Sequence, residues 1–162
     1  MKQIRLSNSP YFALCDDKDF TLLSRLTWRL WKGDRSRNVY AITELDGTSV
    51  YMHQLVYPSE IPGLMRDHIN GNGLDNQSAN IRFATRSQNQ ANRRKVEGSS
   101  SKYKGVCKKG FGWSGEIKVN GIRYRKTFQD ELKAARWYNM MATKHFGEFA
   151  KLSMLPVVAI PT

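Results

Sequence analysis

Met65-Arg-Asp67-His68-Ile-Asn70-Gly71-Asn72-Gly73-Leu-Asp75-Asn76-Gln-Ser-Ala-Asn80-Ile-Arg82-Phe-Ala-Thr85-Arg-Ser-Gln-Asn89 is the segment from which the rest of the chain is best read. Leu64 to Ile69 suits a short strand, Asn70 to Ser78 a loop tightened by Gly71 and Gly73, and Ile81 to Ala84 a second strand. Thr85-Arg-Ser-Gln88 matches the S/T-x-x-Q capping box, so a helix is expected to start there. That helix, Arg-Ser-Gln-Asn-Gln-Ala-Asn-Arg-Arg, is polar on nearly every side and buries little, which points to function rather than packing.

The segment gathers an acid, an imidazole and several amides, and these suit metal-assisted phosphodiester hydrolysis. Such a reaction needs an activated water, a cation to stabilise the charged transition state, and a means of releasing the departing oxygen. His68 titrates near neutrality and can take the water's proton. Asp67 is a hard oxygen donor suited to Mg²⁺ (or Mn²⁺), which needs only one or two protein ligands, and the amide oxygen of Asn89 can be the other. Asn70, Asn72, Asp75 and Asn76 are assigned turn roles. Arg93 lies four residues beyond Asn89, on the same helix face, and either touches phosphate or makes a generic backbone contact. His53, inside Tyr51-Met-His-Gln-Leu-Val-Tyr57, reads as a packed core histidine, and His145 as a cation at a helix C-terminus.

Asp67-His68, Asn80 and Asn89 resemble the HNH endonucleases, whose ββα-metal fold is a hairpin and a helix clasping one divalent cation. With Asn89 where many members carry a second histidine ligand, the segment resembles the homing endonucleases of mobile introns. The resemblance implies metal ligation by Asp67 and Asn89, general-base catalysis by His68, and a loop held by Asn80 so that His68 stays aimed. It also implies products with 5′-phosphate and 3′-hydroxyl ends.

Charge indicates the substrate. The 162 residues carry a formal +12, so a polyanion, double-stranded DNA, is the expected partner. From residue 91 onward there are 15 Lys and Arg against 5 Asp and Glu, whereas residues 1 to 90 hold 11 against 9. The C-terminal part is therefore the expected electrostatic anchor and the middle part the place for chemistry. Cys15 and Cys107 are isolated, with no CxxC pair, and suggest neither a disulfide framework nor structural zinc. No apolar run approaches a membrane span and the N-terminus lacks a signal-peptide core, so a cytoplasmic, nucleoid-associated protein is expected, neither secreted nor membrane-bound.

The expected fold class is α+β, organised as an α+β lead-in over 1–57, the nuclease unit over 58–94, a flexible Gly/Ser linker over 95–102 and a DNA-binding unit over 103–153. In the lead-in a strand is expected over Tyr11 to Leu14 and a helix over Phe20 to Leu26. Strands over Asn38 to Thr43 and Thr48 to Met52 should be joined by Asp46-Gly47, with a short helix over His53 to Tyr57 after them. The last unit should have strands over Tyr103 to Lys108, Trp113 to Val119 and Ile122 to Phe128, then a helix from Asp130 to the stop at Gly147. That helix must cover one face of a sheet too small to stand alone. The opposite face is expected to present Lys118, Arg123 and Arg125, with Lys104, Lys108 and Lys109 from the first strand and its turn.

Tyr103-Lys-Gly-Val106, Gly115-Glu-Ile-Lys118, Thr127-Phe128 and the Ala-Ala-Arg-Trp-Tyr helix resemble the plant ethylene-response-factor DNA-binding domain over most of 102–153. Cys107 stands where that family usually has arginine, and Lys126 where it has glycine. Either Arg125 or Tyr124 then faces DNA, and Trp113 joins the contact set. Two functions stand against each other: a DNA endonuclease, acting as a monomer or weak homodimer to nick or cut, and a non-cleaving sequence-specific DNA-binding regulator with a degenerate HNH segment. The retained Asp67, His68 and Asn89 favour the first.

Overall fold

Short apolar runs broken by Gly, Asn and Asp turns leave no room for long elements, and the chain folds as several small antiparallel sheets with four α-helices among the described residues. The computed structural model describes residues 1–33, 38–58, 61–95 and 97–156. This is the α+β class expected. The chain divides into two compact units, Met1–Thr85 and Arg86–Thr162. The division thus falls at the end of the second strand of the nuclease segment, before its helix, and not within 95–102.

The first unit begins with a hairpin, β1 (Lys2–Arg5) and β2 (Phe12–Cys15), followed by α1 (Asp17–Leu23). A three-stranded sheet of β3 (Arg29–Lys32), β4 (Val39–Leu45) and β5 (Thr48–Tyr51) leads into α2 (Met52–Val56). The β4–β5 turn is the expected Asp46-Gly47, both with positive φ, the backbone that a two-residue hairpin turn requires. The hairpin β6 (Met65–His68) and β7 (Ile81–Ala84) closes the unit. Ile4, Leu6, Ala13, Leu23, Trp28 and Met52 make the centre of its core. Strands β1 and β3 were not anticipated, because Lys-Gln-Ile-Arg and Arg-Leu-Trp-Lys show too few apolar positions for a period to register.

The second unit opens with α3 (Arg86–Asn92). Its sheet, in the order β10-β9-β8, comprises β8 (Val106–Lys109), β9 (Gly112–Val119) and β10 (Ile122–Phe128), and α4 (Glu131–Phe146) packs on one face. Asp130 caps α4 by accepting from the Lys133 amide at 2.8 Å, a contact that contributes about 1 kcal/mol. Packing is tight where α4 crosses the sheet. A Cβ on Gly105 would run into the Tyr138 ring, and one on Gly115 into Trp137, so only glycine fits at either place. The expected linker is less free than its composition suggests. Ser101 is buried and its hydroxyl donates to Glu131 at 2.7 Å while accepting from the Tyr103 amide at 3.0 Å; Ser100 accepts from the Lys108 amide at 2.8 Å.

Candidate active site

Pairing of β6 with β7 sets Asp67 opposite Arg82 and His68 opposite Ile81. Asp67 and His68 are both buried, at 5% and 7% exposure, although sequential strand residues point to opposite faces. Asp67 accepts from Arg82 Nε at 3.1 Å, so a buried carboxylate is held by a guanidinium that is itself mostly shielded. Removing one partner of a buried ion pair typically costs about 3–5 kcal/mol.

His68 sits within an aromatic wall. Its ring lies 5.1 Å from that of His53, edge to face, and 5.9 Å from that of Tyr40. His53 in turn stacks on Tyr51 at 5.3 Å. On the other side, Asn76 Oδ1 faces His68 Nε2 at 3.4 Å. When that oxygen accepts, the ring proton resides on Nε2 and the lone pair on Nδ1. Asn76 is fully buried, and its Nδ2 has no hydrogen-bond partner among the described residues. A buried amide that forgoes one of its bonds is a cost to the fold, and such costs collect where geometry serves chemistry. Burial lowers the His68 pKa from its ordinary 6.5, against the upward pull of the Asn76 contact and the Asp67 and Asp75 carboxylates. The imidazole is therefore neutral, and a competent base, at neutral pH.

The loop between the strands is built from its own amides. Asn80 ends a short 3-10 turn (Ser78–Asn80) and reaches back across the loop. Its Oδ1 accepts from the Asn70 amide at 3.0 Å and its Nδ2 donates to the Asp75 carbonyl at 2.7 Å. Asn70 Nδ2 donates to Asp75 Oδ2 at 2.8 Å, and the Asn72 amide donates to Asn70 Oδ1 at 2.8 Å. The loop is also fastened to β2: the Leu14 amide donates to the Leu74 carbonyl at 2.7 Å, and the Asn76 amide to the Leu14 carbonyl at 2.8 Å. Asp16 adds a clamp by accepting from both the amide and the hydroxyl of Ser78. A Cβ at Gly73 would strike the Val39 carbonyl and the Tyr40 ring, so this position admits only glycine.

His53 is packed against Tyr40, Tyr51 and His68, and its pKa is pushed down to about 3 by burial first, then by His68 and Arg66. The sequence did not reveal that it neighbours His68. No local spacing foretold it, because the contact is made across the fold between α2 and β6. Asn89 lies on α3 in the second unit, and Arg93, just beyond that helix, is exposed.

Among the described residues no three His, Cys, Asp or Glu side chains gather as metal ligands, so a zinc-type cage is not built here. One carboxylate and an amide oxygen fit an ion such as Mg²⁺, which keeps most of its waters and takes phosphate oxygens.

In the second unit the register settles which side chains share the sheet face opposite α4. Arg125 pairs with Glu116 and Arg123 with Lys118, while Tyr124 pairs with Ile117 and packs in the α4-side cluster. Lys118, Arg123 and Arg125 thus lie on the uncovered face, and Arg125 Nε bonds Glu116 at 2.8 Å. Lys109 shares that face by register. Three expected contacts move. Trp113 belongs to the cluster under α4 with Phe128, Ala134 and Ala135. Lys108 pairs with Trp113 and so leaves from the α4 side. Lys104 is turned away from the sheet face, and its ammonium donates to the Ala91 carbonyl. Strand β8 begins at Val106, so the alternation that placed Lys104 did not apply to it.

Over 146 residues, covering 86% of this chain and 73% of the relative, the sequence is 32% identical to an uncharacterized HNH endonuclease of Acanthamoeba polyphaga mimivirus. No protein-family model matches the chain, and no solved structure matches it significantly.

Proposed function

The chain belongs to the HNH endonuclease family, and on that premise we propose that it hydrolyses phosphodiester bonds of double-stranded DNA with one divalent cation, Mg²⁺ or Mn²⁺, and His68 as general base. The observation that carries this reading is the pairing, on adjacent residues of β6, of a buried carboxylate clamped by Arg82 and a neutral imidazole walled by aromatic rings. His68 takes a proton from the attacking water as its oxygen bonds to phosphorus. The bond to the 3′ oxygen breaks and that oxygen takes up a proton from a solvent water, leaving 5′-phosphate and 3′-hydroxyl ends. Asp67 and Asn89 supply the oxygen donors for the cation, which when bound stabilises charge on the phosphate and the departing oxygen. Asn80 keeps the loop, and hence Asn76 and His68, in register. Arg93 is exposed where it can reach phosphate.

The second unit, as a domain of the ethylene-response-factor type, holds DNA on the face carrying Lys109, Lys118, Arg123 and Arg125. The homing type of target, a site flanking the protein's own reading frame, and action as a monomer or weak homodimer belong to the same proposal. A plasmid-nicking assay with Mg²⁺ or EDTA tests it. Cleavage should require the metal and be lost in His68→Ala with DNA affinity retained. Equal inactivity of both chains on that flanking DNA would leave a DNA-binding regulator instead.

A further inference from the structure

A cleft of about 460 Å³ opens in the second unit, and none of the sheet-face residues assigned to DNA lines it. Five cations line it: Arg94 and Lys95 after α3, Lys102 and Lys104 before β8, and Lys151 on the segment that returns after α4. No carboxylate is among its described lining residues. The returning segment is fixed in place. Ser153 and Asn139 exchange two hydrogen bonds, at 2.8 and 3.0 Å, the Lys104 amide donates to Ser153 Oγ at 2.8 Å, and the Lys151 amide donates to the Ala91 carbonyl at 3.1 Å.

Gathering like charges on a rigid wall costs self-repulsion, and a bound anion offsets it. Lys104 sits in this wall with its pKa pushed down to about 8, chiefly by burial and secondarily by Lys151. Leu152 and Met154 also line the cleft with largely exposed apolar side chains, at 46% and 97% exposure. Cations beside exposed apolar groups match a sugar-phosphate, in which each charged phosphate is followed by an apolar sugar face. Inorganic phosphate alone would leave those groups unused.

We propose that this cleft grips a phosphodiester of the DNA backbone, a second anchor separate from the uncovered sheet face. It rests on the reading of the chain as a DNA endonuclease.

The test uses the full chain without metal and the double variant Lys102→Gln/Lys151→Gln. Both side chains are peripheral to the cluster beneath α4, and Lys104 is left alone because its ammonium is part of the local fold. Duplex affinity is measured from 50 to 200 mM salt. The slope of log affinity against log salt should become shallower by about one to two units, and Lys102→Arg/Lys151→Arg should restore it. An unchanged slope in the glutamine variant, with Lys118→Ala still lowering it, overturns the cleft alone. Failure of the normal chain to bind duplex overturns the cleft and the endonuclease reading together. Titration with inorganic phosphate or a mononucleotide separates the sources. Saturable binding of either that the glutamine variant abolishes, with the duplex slope unmoved, would mark a small-anion site and overturn the DNA assignment.

Discussion

Replacing Asn80 with alanine tests the loop more sharply than replacing any other residue. The side chain is 8% exposed and holds two backbone groups, the Asn70 amide and the Asp75 carbonyl, at 3.0 and 2.7 Å. Truncation leaves both without that partner in a shielded place, and each such loss costs about 1–3 kcal/mol. The expected destabilisation of the first unit is therefore about 2–6 kcal/mol, which for a unit of this size lowers the melting midpoint by at least about 8 °C. Amide exchange at Asn70 should accelerate before exchange in the β3–β4–β5 sheet does. Nicking should fall further than stability alone accounts for, because a misplacement of His68 of about 1 Å is worth roughly 10²-fold in rate. Duplex affinity should hold, since the cations assigned to it are in the second unit. Asn80→Asp, which keeps an acceptor for Asn70 but sets a carboxylate oxygen against the Asp75 carbonyl, should not rescue either property. A midpoint within about 2 °C of normal with normal nicking would refute the clamp.

Acid stability should report His53. Between pH 6.5 and about 3 the unfolded chain binds a proton that the folded imidazole refuses, so stability rises with pH through that window and is lost as pH falls. Denaturation at pH 7 and 4.5 should show His53→Phe losing about 1–3 kcal/mol less than the normal chain, and equal losses would contradict the assignment. Lys118→Ala and Arg123→Ala should each weaken duplex binding and reduce its salt slope by about one, whereas Trp113→Phe should leave that slope alone. Gly73→Ala should displace the loop from β4, detected as lost protection of the Leu14 and Asn76 amides in hydrogen exchange; an unchanged pattern would mean that Val39 and Tyr40 yield readily.

What the sequence made legible is what local pattern encodes. Asp46-Gly47 and Asn120-Gly121 announced their hairpins, and all four residues take the positive φ that those turns demand. Loop amides between two short apolar runs announced β6, β7 and the role of Asn80, because the partners lie within ten residues in the chain. Contacts between distant residues were not legible. His53 and His68 meet only because the β3–β4–β5 sheet brings Tyr40 and Tyr51 beside them. Lys104 and the serines near 100 looked like a charged strand and a loose linker, since a run of polar residues does not disclose which carbonyl or carboxylate will receive each donor. Trp113 was expected among the DNA contacts, but its parity in β9 sets it in the cluster beneath α4.

On the proposed function, the uneven charge of the chain answers two demands that oppose each other. A base that must accept a proton at neutral pH is weakened by every cation nearby, as Arg66 already lowers His53. A surface that must hold DNA needs many cations, whose influence extends over roughly 10 Å at ordinary salt. Satisfying both around one side chain would drive the His68 pKa further below 6.5 and blunt it as a base. Nearly balanced charge over residues 1 to 90, with +10 after them, separates the two tasks along the chain. Arg82, across the hairpin from β6, is bound to Asp67, so its charge is largely answered by that carboxylate.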